Sequence, residues 1–125
     1  MKNLNWQTGK KGETIARDFL LKKDYQIIES NFRTRFGEID LVASKDKKLV
    51  FIEVKLKIGL QFGSPEEMIS NHKLKQVKKT AFAFLQAHPK TANQYPFWQI
   101  DAVCIVLNRM GDILRINHYE NIGTE

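Results

Sequence analysis

Apolar residues recur along this chain at two spacings, and the changes from one to the other mark its elements. Between Gly9 and Lys23, residues Ile15, Ala16, Phe19 and Leu20 fall at i, i+1, i+4 and i+5, which lays one apolar face along a helix. Tyr25 to Phe32 reads as a strand. Glu38 to Ala43 and Lys48 to Lys57 read as two more, joined through Ser44-Lys45-Asp46-Lys47-Lys48, a polar stretch of the kind that closes a hairpin. Leu49, Val50, Phe51, Ile52 and Val54 mark the later of the two as a core strand, where charged residues are rarely left unpaired.

The glycine-containing stretch Gly59-Leu60-Gln61-Phe62-Gly63 leads into Ser64-Pro65-Glu66-Glu67. That is a helix start, with Ser as N-cap, Pro at N1 and Glu at N3; Ser70 offers a second start. The helix runs to about His88, with Ile69, Val77, Ala81, Phe84 and Leu85 as its buried stripe. Pro89 and Pro96 bracket a loop. Phe97 to Leu107 is a strong strand, and Arg109-Met110-Gly111-Asp112 turns the chain into a last one, Ile113 to Tyr119. The order αβββαββ predicts an α/β fold, a mixed β-sheet packed between helices. No repeat, low-complexity tract or linker interrupts it. At 125 residues the expectation is one domain, 1–125, with its core over about 5–119.

Composition narrows the partners. The hydrophobic share of 42% and charged share of 27% are ordinary for a globular protein, but the net charge is +6 and the pI about 9.5. That excess favours a polyanion, nucleic acid first and an anionic membrane surface second. Met1-Lys2-Asn3-Leu4-Asn5-Trp6 has no apolar secretory core, and no stretch approaches the roughly 20 apolar residues of a membrane span. Cys104, the only cysteine, lies in an apolar strand and reads as a buried, reduced thiol. The expected location is cytoplasmic, with no membrane partner.

Against that background one group of charges stands out. If the hairpin turn centres near Asp46, the partner of Asp40 across the strands is Ile52 or Glu53, while Glu53 and Lys55 share a face. Two carboxylates and an ammonium then converge on one patch of sheet. Like charges opposed on adjacent strands destabilise a sheet unless a hard divalent cation such as Mg²⁺ lies between them. Neutralisation of both carboxylates by Lys55 in an ion cluster is the other reading. Glu13 shares a helix face with Ala16 and Leu20, so it points toward the sheet, where a carboxylate needs a partner. Alternatively, it complements the helix dipole.

Several blocks carry a resemblance over about residues 5 to 119: Gly12-Glu13, Asn31-Phe32-Arg33, Gly37-Glu38-Ile39-Asp40-Leu41, Leu49-Val50-Phe51-Ile52-Glu53-Val54-Lys55, Phe62-Gly63 and Lys73. Together they resemble the YraN-type family of uncharacterised proteins, within the PD-(D/E)xK superfamily of restriction-endonuclease-like nucleases. The resemblance implies a restriction-endonuclease-like core in which Asp40, Glu53 and the Val54 carbonyl bind Mg²⁺ or Mn²⁺. Glu13 would complete the metal site, as in members like Holliday-junction resolvases, and Lys55 would orient the attacking water and stabilise charge on the phosphate.

Lys73 and Gln76 are positioned to touch phosphate, as a polar residue on this helix does in related nucleases; a solvated helix face is the alternative for both. Lys57, Arg33 and Arg35, with other basic residues, would form a backbone-binding surface. Two departures are visible. Lys57 stands where the family usually has Arg, which weakens a bidentate phosphate contact. Gln99-Ile100-Asp101 stands where Arg-Phe-Asp is favoured, so Asp101 reads as structural, with support of the site from behind its ligands as the other reading. His88 and His118 show no metal spacing with one another.

The expected function is metal-dependent hydrolysis of phosphodiester bonds in nucleic acid, DNA ahead of RNA, with a structure-specific substrate in view. The alternatives are a nucleic-acid-binding protein with weak or no activity on the same fold, and a non-enzymatic interaction domain. Analogy with junction-cleaving relatives brings in a homodimer.

Overall fold

A computed structural model describes residues 3–123; residues 1–2 and 124–125, the ends of the expected domain, lie outside the described residues. The first helix, α1, spans Asn3–Lys22. It begins six residues earlier than the sequence reading because Gly9 does not stop it. One interior glycine costs only about 1 kcal/mol relative to alanine. The helix ends on Asp24, which takes a left-handed conformation (φ 69°) as the Tyr25 N–H closes back on the Leu20 carbonyl at 3.1 Å.

Strands β1 (Gln26–Thr34), β2 (Gly37–Lys45) and β3 (Lys48–Ile58) form an antiparallel meander. The β2–β3 hairpin closes on the pair Lys45–Lys48, with Asp46 at φ 56° in the two-residue turn. Strand β4 (Phe97–Leu107) returns parallel to β3, and β5 (Ile113–Tyr119) closes the sheet antiparallel to β4, in the order β1-β2-β3-β4-β5. The expected mixed sheet between helices is therefore present.

Helices cover both faces, which is why β4 and the first half of β3, Leu49 to Ile52, are apolar on both sides. On one face α1 buries Ala16 and Leu20 against Leu41, Ile52, Val103 and Ile105. On the other, α2 (Asn71–Ala87) buries Val77, Ala81 and Phe84 against Ile39, Phe51 and Ile100. Of the two starts the sequence offered, Ser70 caps this helix, accepting the Lys73 N–H at 3.1 Å. Ser64-Pro65-Glu66-Glu67 instead opens a four-residue 3₁₀ turn, Pro65–Met68. The expected loop after Pro89 contains a short helix, α3 (Pro89–Gln94), with proline at its first position. Among the described residues no helix is long and apolar enough to cross a membrane.

Candidate functional site

The paired part of the β2–β3 ladder ends at Leu41–Ile52, so the next step along the same register sets Asp40 opposite Glu53. There the strands part. The Val54 N–H is taken by the carboxylate of Asp40, at 2.8 Å. In an extended strand the N–H and C=O of one residue point to the same side, so the Val54 carbonyl also faces this gap.

The gap opens as a cleft of about 440 Å³ whose lining includes Glu13, Asn31, Arg33, Asp40, Val54 and Lys55. A second lobe, about 530 Å³, shares Gly9, Val54 and Lys55 with it and runs on past Lys57 and Ile58 to Met68. Gly12 is what lets α1 lie this close to β3: a Cβ there would stand 3.2 Å from the Leu56 Cβ.

Glu53 lies beneath the cleft on the α2 side of the sheet, with its side chain 1% exposed. Its Oε2 is 3.4 Å from the Lys73 ammonium and 3.9 Å from that of Lys55. Its Oε1 is buried with no hydrogen-bond partner among the described residues. Burial first, and then the charge of Asp40, push the Glu53 carboxyl up to about 7, against the pull of Lys73 and Lys55. Asp40 is raised as well, chiefly by burial, with the Val54 N–H and Lys55 opposing.

Glu13 reaches the cleft from the α1 side. Its Oε1 accepts from Asn31 Nδ2 at 3.2 Å and lies 3.6 Å from Arg17. Among the described residues no three His, Cys, Asp or Glu side chains come close enough to enclose a metal ion. What the strands bring together is Asp40 beside Glu53, two lysines on Glu53, and Glu13 across the cleft. The groups suited to a hard divalent cation are the Asp40 carboxylate, the free Oε1 of Glu53 and the Val54 carbonyl, all oxygen donors.

The residues expected to bind phosphate separate. Arg33 lines the cleft, paired to Glu38 at 3.3 Å, and Lys57 lines the adjoining lobe. Lys73 is turned onto Glu53. Gln76 lines neither lobe; its Cβ lies near Gly37, at the start of β2 just past the β1–β2 connection. Arg35 sits exposed in that connection, 5.1 Å from the centre of the Phe36 ring.

Three residues of the site went unassigned from sequence. Glu38 lines the cleft and adds to the upward push on Asp40. Arg17 sits on Glu13. Asn31 takes φ 57° inside β1 while its side chain bonds Glu13. Asparagine tolerates that conformation better than most residues, and its place in an otherwise extended segment was the one available signal.

Residues 12–105, the stretch holding all the blocks noted above, match the family described as Uncharacterised protein family UPF0102. A UPF0102 protein of Syntrophomonas wolfei is 40% identical over 118 residues, covering 94% of this chain and 98% of its own. One from Caldicellulosiruptor bescii is 40% identical over 111 residues, 89% of this chain and 92% of its own. A third, from Thermodesulfovibrio yellowstonii, is 38% identical over 115 residues, 92% and 94% respectively. The chain therefore belongs to the uncharacterised protein family UPF0102.

Proposed function

We propose that this chain is a metal-dependent endonuclease with a restriction-endonuclease-like core, hydrolysing phosphodiester bonds of nucleic acid, DNA first. The observation that carries the reading is the orphaned Oε1 of Glu53. A buried carboxylate oxygen without a partner costs free energy, and here a second, half-buried carboxylate, that of Asp40, stands beside it. A divalent cation would remove both costs at once.

Asp40 and Glu53, with the Val54 carbonyl, would hold Mg²⁺ or Mn²⁺. Bound there, the ion supplies an acidified water and charge to offset that building on the phosphate. Lys55 lines the cleft with its ammonium 3.9 Å from Glu53, which supports a role for it in orienting the attacking water and taking up charge on the phosphoryl oxygens. Lys73 balances the charge of Glu53 from α2. Arg33, Lys57 and Lys10 rim the two lobes and would take the flanking phosphates.

A second reading has its own observation. Lys55 and Lys73 both stand near Glu53, so the cluster is partly neutralised without a metal, as in a nucleic-acid-binding protein that cuts nothing. One assay separates the two. Purified protein is incubated with duplex, branched and single-stranded DNA and with RNA, in Mg²⁺, Mn²⁺ or chelator. Metal-dependent cutting that disappears in Asp40→Asn supports the nuclease. Binding without cutting in every metal supports the second reading.

A further inference from the structure

We propose that the tip of the sheet beyond Lys57 is a stacking platform for unpaired bases, so that the substrate carries a single-stranded segment beside the phosphate to be cut. This rests on the nuclease reading and names its substrate class.

Phe62, in the loop after β3, is 86% exposed, and Met110, in the turn after β4, is 87% exposed. Neither contributes to a core. Both belong to the same end of the molecule, because β3 and β4 run parallel. Their ladder ends on Ile58–Leu107, and the Gly59 N–H continues it to the Leu107 carbonyl at 2.8 Å. The Met110 turn is firmly built, with Asn108 Oδ1 accepting from the N–H groups of Met110 and Asp112, each at 2.9 Å. The Phe62 loop closes at its base on Gly63, whose φ of 101° suits glycine and whose N–H bonds the Leu60 carbonyl at 3.3 Å.

Basic groups ring this tip, and the Glu67 carboxylate at the base of the Phe62 loop is taken up by the Ser64 N–H at 2.9 Å. Lys57 precedes the Phe62 loop, Arg109 precedes Met110, and the Lys11 ammonium lies beside Gly111. Asp112 is the one carboxylate in the turn, and it accepts from Asn108. Two copies of the chain meeting here face to face would oppose like charges. A polyanion with flat apolar faces meets both features.

Continuity with the cleft favours nucleic acid over other polyanions, since the lobe holding Lys55 and Lys57 reaches Ile58, the last residue of β3 before the Phe62 loop. From Lys55 to Ile58 the strand covers about 10 Å. That places the Phe62 loop a few nucleotides from a phosphate held at Lys55, given a base spacing of about 3.4 Å. Inside a duplex both faces of each base are already stacked, so away from the duplex ends an aromatic side chain finds a free face only where bases are unpaired.

The test compares wild type, Phe62→Ala and Phe62→Trp by fluorescence anisotropy in chelator, where nothing is cut. The probes are a short blunt duplex and the same duplex extended by a single-stranded tail. Wild type is expected to prefer the tailed probe, and Phe62→Ala to lower the ratio of the two affinities by roughly 5- to 150-fold, the range for loss of one stacked base. Phe62→Trp should keep the ratio, with its own fluorescence quenched on binding. Equal losses on both probes, or an unchanged ratio in Phe62→Ala, would overturn the platform. So would a variant that turns a dimer into a monomer or loses binding to phosphatidylserine vesicles instead. If wild type cuts DNA in Mg²⁺ while the ratio is unchanged, only the platform falls. If it neither binds nor cuts any probe, the nuclease reading falls with it.

Discussion

Asp40 and Lys55 do different work in the proposed site, and single substitutions separate them. Asp40→Asn removes the charge that would hold a cation, yet an amide oxygen can still accept the Val54 N–H now bonded at 2.8 Å. The expected outcome is an intact fold, lost metal binding by calorimetry and no metal-dependent cleavage. Lys55→Ala should keep most of the metal affinity and lose roughly 10² to 10³ in rate, the usual cost of one charge aimed at the transition state. A purely structural ion cluster predicts instead that both variants lose stability together. Glu53 adds a pH signature. Its carboxyl ordinarily titrates near 4.5 and in the folded chain near 7, so between those values the folded state holds more proton than the unfolded one. Without metal, stability from this group is therefore present below the lower value and falls as pH rises through the upper one, by a few kcal/mol. Denaturant titrations from acid to neutral pH in chelator should show that slope, and Glu53→Gln should flatten it.

At the scale of elements, the hairpin was legible and the helix docking was not. Asp46 and its polar neighbours fix the turn. The turn fixes the register, and a period of two then sets Asp40 beside Glu53 without any tertiary information. By contrast, the break between the 3₁₀ turn and α2 depends on Glu66, which Arg115 grips at 2.7 and 3.0 Å and Tyr119 Oη at 2.7 Å. Those partners come from β5, about fifty residues on, so local capping signals could not choose between Ser64 and Ser70. The same break decides where Lys73 falls, and hence that it lands on Glu53.

Asp101 shows a similar limit. Its structural role was expected, but its partners were not. It accepts from Gln99 and from the Asn121 N–H, each at 2.9 Å, and bonds His118 Nε2 at 2.8 Å. The other ring nitrogen of His118 lies 3.0 Å from the Lys23 ammonium, which can only donate, so Nε2 carries the proton given to Asp101. This chain of contacts ties the end of α1 to β4 and β5. His118→Ala should cost about 3 kcal/mol, because it leaves a buried carboxylate oxygen unpaired. Thermal melts read the loss, and hydrogen exchange should show it first in the last turns of α1. A change within about 0.5 kcal/mol would mean that the network does not hold the helix.

For the whole molecule the question is where the charge lies, since the total of +6 cannot distinguish a binding surface from general solubility. The fold separates the basic residues along the sheet. Lys57 and Arg33 line the lobes where β2 parts from β3, whereas Lys47 sits in the Asp46 turn at the other end of the same hairpin. Removing any one of the three takes a single charge from the same total. If phosphates run through the cleft, log affinity for DNA should fall linearly with log salt, and each of Lys57→Ala and Arg33→Ala should make the slope shallower by about 1. The loss should be similar across duplex sequences, because contacts to the backbone carry no base information. Lys47→Ala should leave the slope where it is. Equal effects from Lys47 and Lys57 would mean that only net charge matters, and the cleft would then have no special claim on nucleic acid. A shallower slope confined to Lys57 and Arg33 would trace the strand's path past Asp40 and Glu53, whether or not the chain cuts it.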